Sequence, residues 1–264
     1  AVIAERDIKE FLSLLMELGA VKIDGQFESI LAKSKLSPIN SEDFLYCLIK
    51  EEFKGKRMPI SLTWELTHRC NLNCVHCCIK NGIKRDRREE LNSRKIGCLL
   101  KQAASAGCFQ VILTGGEPLA RKDFKEIVLD IKNQGFLYVL YSNGTLLTKD
   151  TVDFLEEYPP IIIELSIYGY TEEVYESVTR TKGSYVRFKN GLEMLLGRGF
   201  NLRLKSIAMK NNIHEMEAMK KFSEGIGVEF RFDSLITPAI DGCCVPTEVR
   251  LDPKEIVRLE TKDK

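Results

Sequence analysis

No stretch of this 264-residue chain reaches the roughly 18 consecutive apolar residues that a bilayer-spanning helix needs. Nor is there an excess of either charge: 39 Lys and Arg face 38 Asp and Glu, for a formal net charge of +1. Without a global field, nonspecific binding of nucleic acid or of an anionic membrane is not expected. The first ten residues, AVIAERDIKE, carry charge where a secretory signal would place an apolar run, so the expected location is the cytoplasm. The metal-ligating residues also lack something. Outside one short segment there is no second Cys-x-x-Cys and no His pair, which a structural zinc site would need to complete its four ligands.

Against these absences stands a hydrophobic content of 44 %, enough for a full-sized core. Nine cysteines are many for a reducing compartment, and Cys70, Cys74, Cys77 and Cys78 fall close together. Such a knot in an intracellular chain points to metal and not to disulfides. Cys47, Cys98, Cys108, Cys243 and Cys244 are scattered and are expected as small buried hydrophobes, the adjacent pair Cys243 and Cys244 being the least settled. The chain opens without Met inside what reads as a helix, and LDPKEIVRLETKDK stops as another begins. A fragment at both ends is therefore expected.

Three regions follow from the texture. Residues 1–57 read as a small helical leader, with apolar positions at helical spacing (Ile8, Phe11, Leu12, Leu15, Leu18) ended by Gly19, a favourable C-terminal cap. Residues 58–241 alternate short apolar runs with amphipathic stretches of helical length, the pattern of strand-helix units around a parallel sheet. Strands are expected near 60–66, 109–114, 136–142, 160–167, 201–209 and 228–233, with helices near 91–106, 123–134, 148–157, 184–198 and 213–225. The fold class is α/β, a barrel or part of one, with an open doubly wound sheet as the alternative. Residues 242–264 read as the start of a further segment. Several strands alternate polar and apolar residues, where strands buried on both faces would read as unbroken apolar runs. A polar lumen is therefore expected, with Glu65, Glu164, Lys205, Arg231 and Asp233 as candidate substrate contacts.

The segment TWELTHRCNLNCVHCCIK follows the first expected strand, on the rim where barrel enzymes keep their reacting groups. Three thiolates in one tight loop leave the fourth iron of a cubane cluster without a protein ligand, and an open position is the mark of a catalytic metal site. Zinc completed by His68 or His76 is the rival reading. A ferredoxin-type carrier would need a fourth cysteine at a spacing that is missing. Cys78, adjacent to Cys77, must point elsewhere and is read as packing or a spare thiol. ILTGGEPLA follows the second expected strand. Its paired glycines allow a sharp turn that brings backbone groups against a ligand, and Glu117 offers a carboxylate to an ammonium group.

CNLNCVHC followed by TGGEPL resembles the radical SAM enzymes, over about Met58 to Asp241. The resemblance implies a partial (β/α)6 TIM-like barrel, a 4Fe-4S cluster and S-adenosylmethionine (SAM) bound at the open iron. The implied chemistry is reductive cleavage of SAM to a 5'-deoxyadenosyl radical that abstracts a substrate hydrogen. Carried over residue by residue, Cys70, Cys74 and Cys77 match the cluster ligands and catalytic cysteines, and His76 matches a position near the adenine. Gly115, Gly116, Glu117 and Pro118 match the segment that receives the methionine amino group. Asn143 and Ser166 match polar positions contacting nucleoside or carboxylate. Arg180 matches an arginine that pairs with the SAM carboxylate.

The tract SIYGYTEEVYESVTRTKGSYVRFKNGLEML, with LITPAIDGCCVPTEVRLDPKE, is similar to the branch that carries SPASM extensions for auxiliary clusters, many of whose members modify ribosomal peptides. The 264 residues depart from that pattern in holding no cysteine-rich extension, so a truncated or a shortened chain is expected, and Cys243 and Cys244 match no ligand. Residues 1–57 resemble the last helical part of a peptide-gripping winged helix. The resemblance implies hydrogen abstraction from a peptide or protein side chain in maturation or crosslinking, with flavodoxin or ferredoxin as electron donor. Small-molecule or cofactor maturation, such as tetrapyrrole chemistry, is the alternative, and a non-catalytic cluster-bearing sensor or peptide-binding module is the alternative of another class.

Overall fold

The computed structural model describes residues 59–79 and 90–262. The expected leader, Cys47 and the start of the core at Met58 lie outside those residues. The fold below is that of the compact unit formed by Ser61–Ser105 and Phe109–Lys264.

Six strands alternate with helices: β1 Ser61–Thr67, α1 Ser93–Ser105, β2 Gln110–Gly115, α2 Phe124–Asn133, β3 Leu137–Ser142, α3 Lys149–Glu157, β4 Ile162–Ser166, α4 Glu172–Thr179, α5 Ser184–Leu196, β5 Leu202–Ile207, α6 Met216–Gly225, β6 Glu229–Asp233 and α7 Pro253–Lys262. All five strand pairings are parallel, and the strands lie in chain order from β1 to β6. That order decides between the two expected architectures. A doubly wound sheet reverses its strand order part-way across, whereas a sequential order is that of a barrel, here left open between β1 and β6. The fold is a partial (β/α)6 TIM-like barrel.

The six strands fall where the apolar runs place them, to within a few residues. One helix is additional. The sequence reading left α4 unassigned, although Thr171 caps it by accepting from Val174 N and Glu172 and Glu173 occupy its first turn, both ordinary N-terminal signals. The stretch near 213 begins as a tight turn, Ile213–Glu215, before α6.

The register separates two faces. Val111, Leu113, Tyr138, Leu140, Ile163, Leu165, Leu202 and Leu204 are buried on the side facing the helices, whose own stripes (Ile127, Ile131, Leu155, Phe188, Leu192) are equally buried. The opposite face carries Glu65, Glu164, Arg203, Lys205, Glu229, Arg231 and Asp233, aligned by the pairings Glu164↔Arg203, Arg203↔Glu229 and Lys205↔Arg231. Because β1 and β6 form the open edges, Glu65, Arg231 and Asp233 are exposed. Glu164 differs from its expected role. It is buried and ion-paired with the equally buried Arg203, since mid-sheet charges leave water only in partnership.

The cysteine expectations are corrected in part. Cys108 is buried as expected, but Cys98 and Cys244 are exposed and Cys243 is half-buried. Cys98 lies midway between the buried Ile96 and Leu100 of α1, so helical geometry turns it toward the opposite side.

Candidate active site

The exit of β1 is fixed by polar contacts with the next rim loop. Thr67 Oγ1 donates to Glu90, and Arg69 reaches the same carboxylate with Nε and Nη2, at 2.9 and 3.0 Å. Arg69 Nη1 donates to Ala120 O at 3.1 Å, and the buried Arg121 donates to Leu66 O at 2.7 Å. The paired glycines serve the same junction. Gly116 N donates to Thr67 O at 2.6 Å and Glu117 N to Arg69 O at 2.8 Å. A Cβ on Gly115 would stand 2.3 Å from Thr67 O, and one on Gly116 2.3 Å from Arg69 O. The backbone that these glycines admit is that of the cysteine loop, so the N–H groups of Gly116 and Glu117 are spent inside the chain.

Beyond that junction the loop runs without regular structure, and other elements satisfy its backbone. Asn73 N donates to Thr179 O and Val75 N to Val178 O, both at 2.9 Å, so the loop occupies carbonyls that the C-terminus of α4 leaves free. Cys77 N donates to Cys74 O at 3.3 Å. The Cys70 Sγ accepts from Leu72 N at 3.4 Å and from Asn143 Nδ2 at 3.7 Å.

Tyr168, two residues past β4, lies within electrostatic reach of the three cysteines. Burial pushes its hydroxyl well above the usual tyrosine range, and the charges of Cys74, Cys70 and Cys77 add to the rise, against a hydrogen bond with Ser166. One ring therefore feels all three thiols. His76 leans on the same ring, with centroids 5.1 Å apart. Burial brings the His76 imidazole down to about 4, and its buried Nδ1 has no hydrogen-bond partner among the described residues; the same holds for the Tyr175 hydroxyl. Sequence reasoning missed Tyr168, whose signal was an aromatic on the rim directly after ELSI.

Among the described residues no three His, Cys, Asp or Glu side chains converge on a point as the ligands of one ion would. His68 turns instead to Glu65, 3.2 Å away. Thiolates on three different irons stand farther apart than thiolates sharing one zinc at about 2.3 Å. Three half-buried cysteines on one loop, none in a disulfide, N–H donors on Cys70 and an orphaned imidazole nitrogen fit a cubane cluster with a polar cosubstrate beside it. Cys78 stays outside the trio; burial and the neighbouring Cys77 charge raise its thiol.

The remaining expected site residues divide into two sets. Glu117 is fully buried, its carboxylate accepting from Leu119 N at 3.1 Å, Ser142 Oγ at 2.9 Å and Asn143 N at 2.7 Å. Burial raises it to about 7 against those three donors. The side chain read as an acceptor for an ammonium group thus ties the rim loop to the end of β3. Pro118, also buried, opens the short turn Pro118–Ala120 that Glu117 caps. Asn143 is buried, and its amide is spent on Asn71, Thr145 and Cys70. It orients the cysteine loop where the resemblance implied a nucleoside contact. Ser166 is half-buried beside Tyr168, and Arg180 is exposed. Arg180 ends α4 with φ 47°, the one non-glycine with positive φ among the described residues, one residue past the carbonyl that Asn73 occupies.

The model of the radical SAM superfamily matches residues 64–222. The chain belongs to the radical SAM superfamily. It is 32 % identical over 190 residues to the mycofactocin maturase MftC of Mycolicibacterium smegmatis, a match covering 71 % of this chain and 47 % of that protein. It is also 32 % identical over 171 residues to an AdoMet-dependent heme synthase of Methanosarcina barkeri, covering 64 % of this chain and 48 % of that one. The chain thus spans about half the length of these relatives. Its fold resembles that of Streptococcus suis SuiB. The SAM-bound crystal structure gives a TM-score of 0.67 at 16 % identity, covering 98 % of this chain and 57 % of that chain. The structure bound to the precursor peptide SuiA gives 0.60 at 17 %, covering 84 % and 51 %. Among the described residues no helix is long and apolar enough to cross a membrane.

Proposed function

We propose that the chain is the catalytic barrel of a radical SAM maturase that abstracts hydrogen from a peptide or protein side chain. Cys70, Cys74 and Cys77 hold a 4Fe-4S cluster. Ser166, Arg180, His76 and the backbone of Gly115–Pro118 receive SAM beside it. The observation that carries this reading is the placement of Cys70, Cys74 and Cys77, none of them in a disulfide, on one irregular loop at the exit of β1 and within electrostatic reach of Tyr168, above an open face of exposed charged residues. When bound, the cluster and SAM supply reductive sulfonium cleavage and a hydrogen-abstracting radical.

The chain's own residues do the positioning. Asn143 fixes the loop through Asn71 and shades Cys70 with an N–H, a contact that tunes cluster potential. Glu117 locks the second rim loop to β3. Arg180, its backbone set by the left-handed cap, presents a planar guanidinium suited to the SAM carboxylate. The half-buried Tyr168 and the buried Tyr175 behind it form an aromatic wall beside the loop. Flavodoxin or ferredoxin would supply the electron, and thiols held ready for a cluster suit a reducing compartment such as the cytoplasm. The SuiB complex with a precursor peptide shares this fold and supports a peptide substrate.

The test is anaerobic reconstitution, iron and sulfide counting, and 5'-deoxyadenosine production under dithionite, with and without a peptide encoded beside the gene. Wild type should load four irons and cleave SAM, and Cys74→Ala should lose both. Retained turnover in Cys74→Ala, bound zinc, or a cluster spectrum indifferent to SAM would refute the assignment. Turnover stimulated by iron-coproporphyrin III and not by peptide would move the substrate to tetrapyrroles, in keeping with the heme synthase relative.

A further inference from the structure

The lumen face of β4, β5 and β6 carries a charge row that the cofactor site does not use. Arg203, with 4 % of its side chain exposed, is held between Glu164 (Nη1–Oε2, 3.4 Å) and Glu229 (Nε–Oε2, 2.9 Å). Two further cations stand side by side in register, Lys205 and Arg231, with 37 % and 43 % of their side chains exposed. Lys205 Nζ is 3.8 Å from Glu164 Oε1, beyond hydrogen-bond length. Arg231 donates its Nε to Glu229 Oε1 at 2.6 Å and makes no other hydrogen bond to a described residue, so its terminal N–H groups stay available. Ser166 lies in the same row, paired with Lys205.

These side chains face the lumen and not the helices. The intervening Phe230 and Phe232 line a cavity with Met216 of α6 and Leu259 of α7, so alternation sends Glu229, Arg231 and Asp233 to the other side. The neighbouring carboxylates are already engaged. Glu164 and Glu229 hold Arg203, Asp233 Oδ1 accepts from Leu235 N at 2.8 Å, and Glu65 faces His68. Three cations (Arg203, Lys205, Arg231) stand against three carboxylates (Glu164, Glu229, Asp233), but Glu164 and Glu229 are drawn to Arg203 and Asp233 accepts from a backbone N–H. Lys205 and Arg231, the partly exposed cations, keep N–H donors for a ligand.

We propose that Lys205 and Arg231 form a carboxylate clamp in the lumen, and that the substrate presents an acidic group to it. A guanidinium beside an ammonium, both partly shielded from water, matches a carboxylate better than any neutral side chain does. The source of the carboxylate rests on the maturase reading: an Asp or Glu of a peptide. A tetrapyrrole propionate offers the same chemistry.

The test pans a displayed random dodecapeptide library on the SAM-loaded protein and on the double variant K205M/R231M, and titrates iron-coproporphyrin III against both. Selected peptides should be enriched in Asp or Glu on wild type. In K205M/R231M the affinity of a selected acidic peptide should fall about tenfold or more, the size of a lost charge-assisted contact. K205R/R231K should restore it, which separates the charge from a folding defect. Acidic enrichment that survives in K205M/R231M, or its absence together with clamp-independent porphyrin binding, overturns the clamp. Porphyrin binding lost in K205M/R231M without acidic peptides would keep the clamp and overturn the peptide reading. Loss of the clamp leaves the maturase reading to stand or fall on SAM cleavage with peptide.

Discussion

Replacing Glu117 with Gln should change the pH dependence of stability more than stability itself. The carboxylate is buried and raised from 4.5 to about 7, burial outweighing the three donors aimed at it. At about 1.4 kcal/mol per unit, that shift makes ionised Glu117 about 3 kcal/mol less favourable in the folded chain than in the unfolded one. Below pH 4.5 both states bind the proton and the penalty is absent. Between 4.5 and about 7 the unfolded chain releases it while the folded chain keeps it, so stability falls as pH rises and then levels off. Ser142 Oγ, 2.9 Å away, is the natural acceptor for the retained proton. Glu117→Gln removes this slope and adds a constant cost of about 1–3 kcal/mol, because the amide turns a donor toward Asn143 N or Leu119 N. Urea midpoints of cluster-free wild type and variant, from about pH 5 to pH 8, should converge toward the alkaline end. The wild-type-minus-variant infrared difference should show a protonated carboxyl at pH 6. Parallel stability curves, or a carboxyl already ionised at pH 6, would show that the three donors win over burial and would refute the reasoning.

Two other perturbations test the loop supports. Gly116→Ala places a Cβ 2.3 Å from Arg69 O, a backbone atom that cannot rotate away; about 1–3 kcal/mol of overpacking should displace the cysteine loop. Iron and sulfide per chain should fall while the far-ultraviolet circular dichroism is kept, and full iron loading would contradict the close approach. Glu215 accepts from Tyr170 N, Thr171 N and Thr171 Oγ1 at 2.7, 3.1 and 2.6 Å, ahead of α4. Glu215→Ala should cost about 2–3 kcal/mol and speed amide exchange at Tyr170 and Thr171, and unchanged exchange would sink the assignment.

The strands were legible because short β-rich runs such as LYVLYS and IIELS contrast with the helical stretches between them, and the order of the units carried the barrel. The cysteine-bearing loop after β1 was legible as an irregular segment on the rim. The division of labour among the other motif residues was not. Gly115 and Gly116 read as a ligand cradle, yet what approaches them is the chain segment Thr67–Arg69, a contact between positions nearly fifty residues apart. Asn143 read as a ligand contact or a turn residue, but its amide reaches Asn71 and Cys70, across a distance that only the closed fold removes. Polarity marked Glu164 and Lys205 alike, and only the register shows the first buried under Arg203 and the second open to the lumen.

This division has a physical origin. The cysteine loop is neither helix nor strand, so its N–H groups need partners elsewhere, and each unmet buried donor costs on the order of 1–3 kcal/mol. The rim supplies them: Thr179 O and Val178 O for Asn73 and Val75, and Cys70 Sγ for Leu72 N. Polar side chains near the site are therefore consumed first in holding the loop, as Asn143, Glu117 and Glu90 are. The groups left over (His76 Nδ1 and the Lys205–Arg231 pair) are those for which the described chain provides no full complement of partners. In a buried or half-shielded place such a deficit persists only where something else completes it, so the site is better read from its unfinished contacts than from its conserved-looking letters.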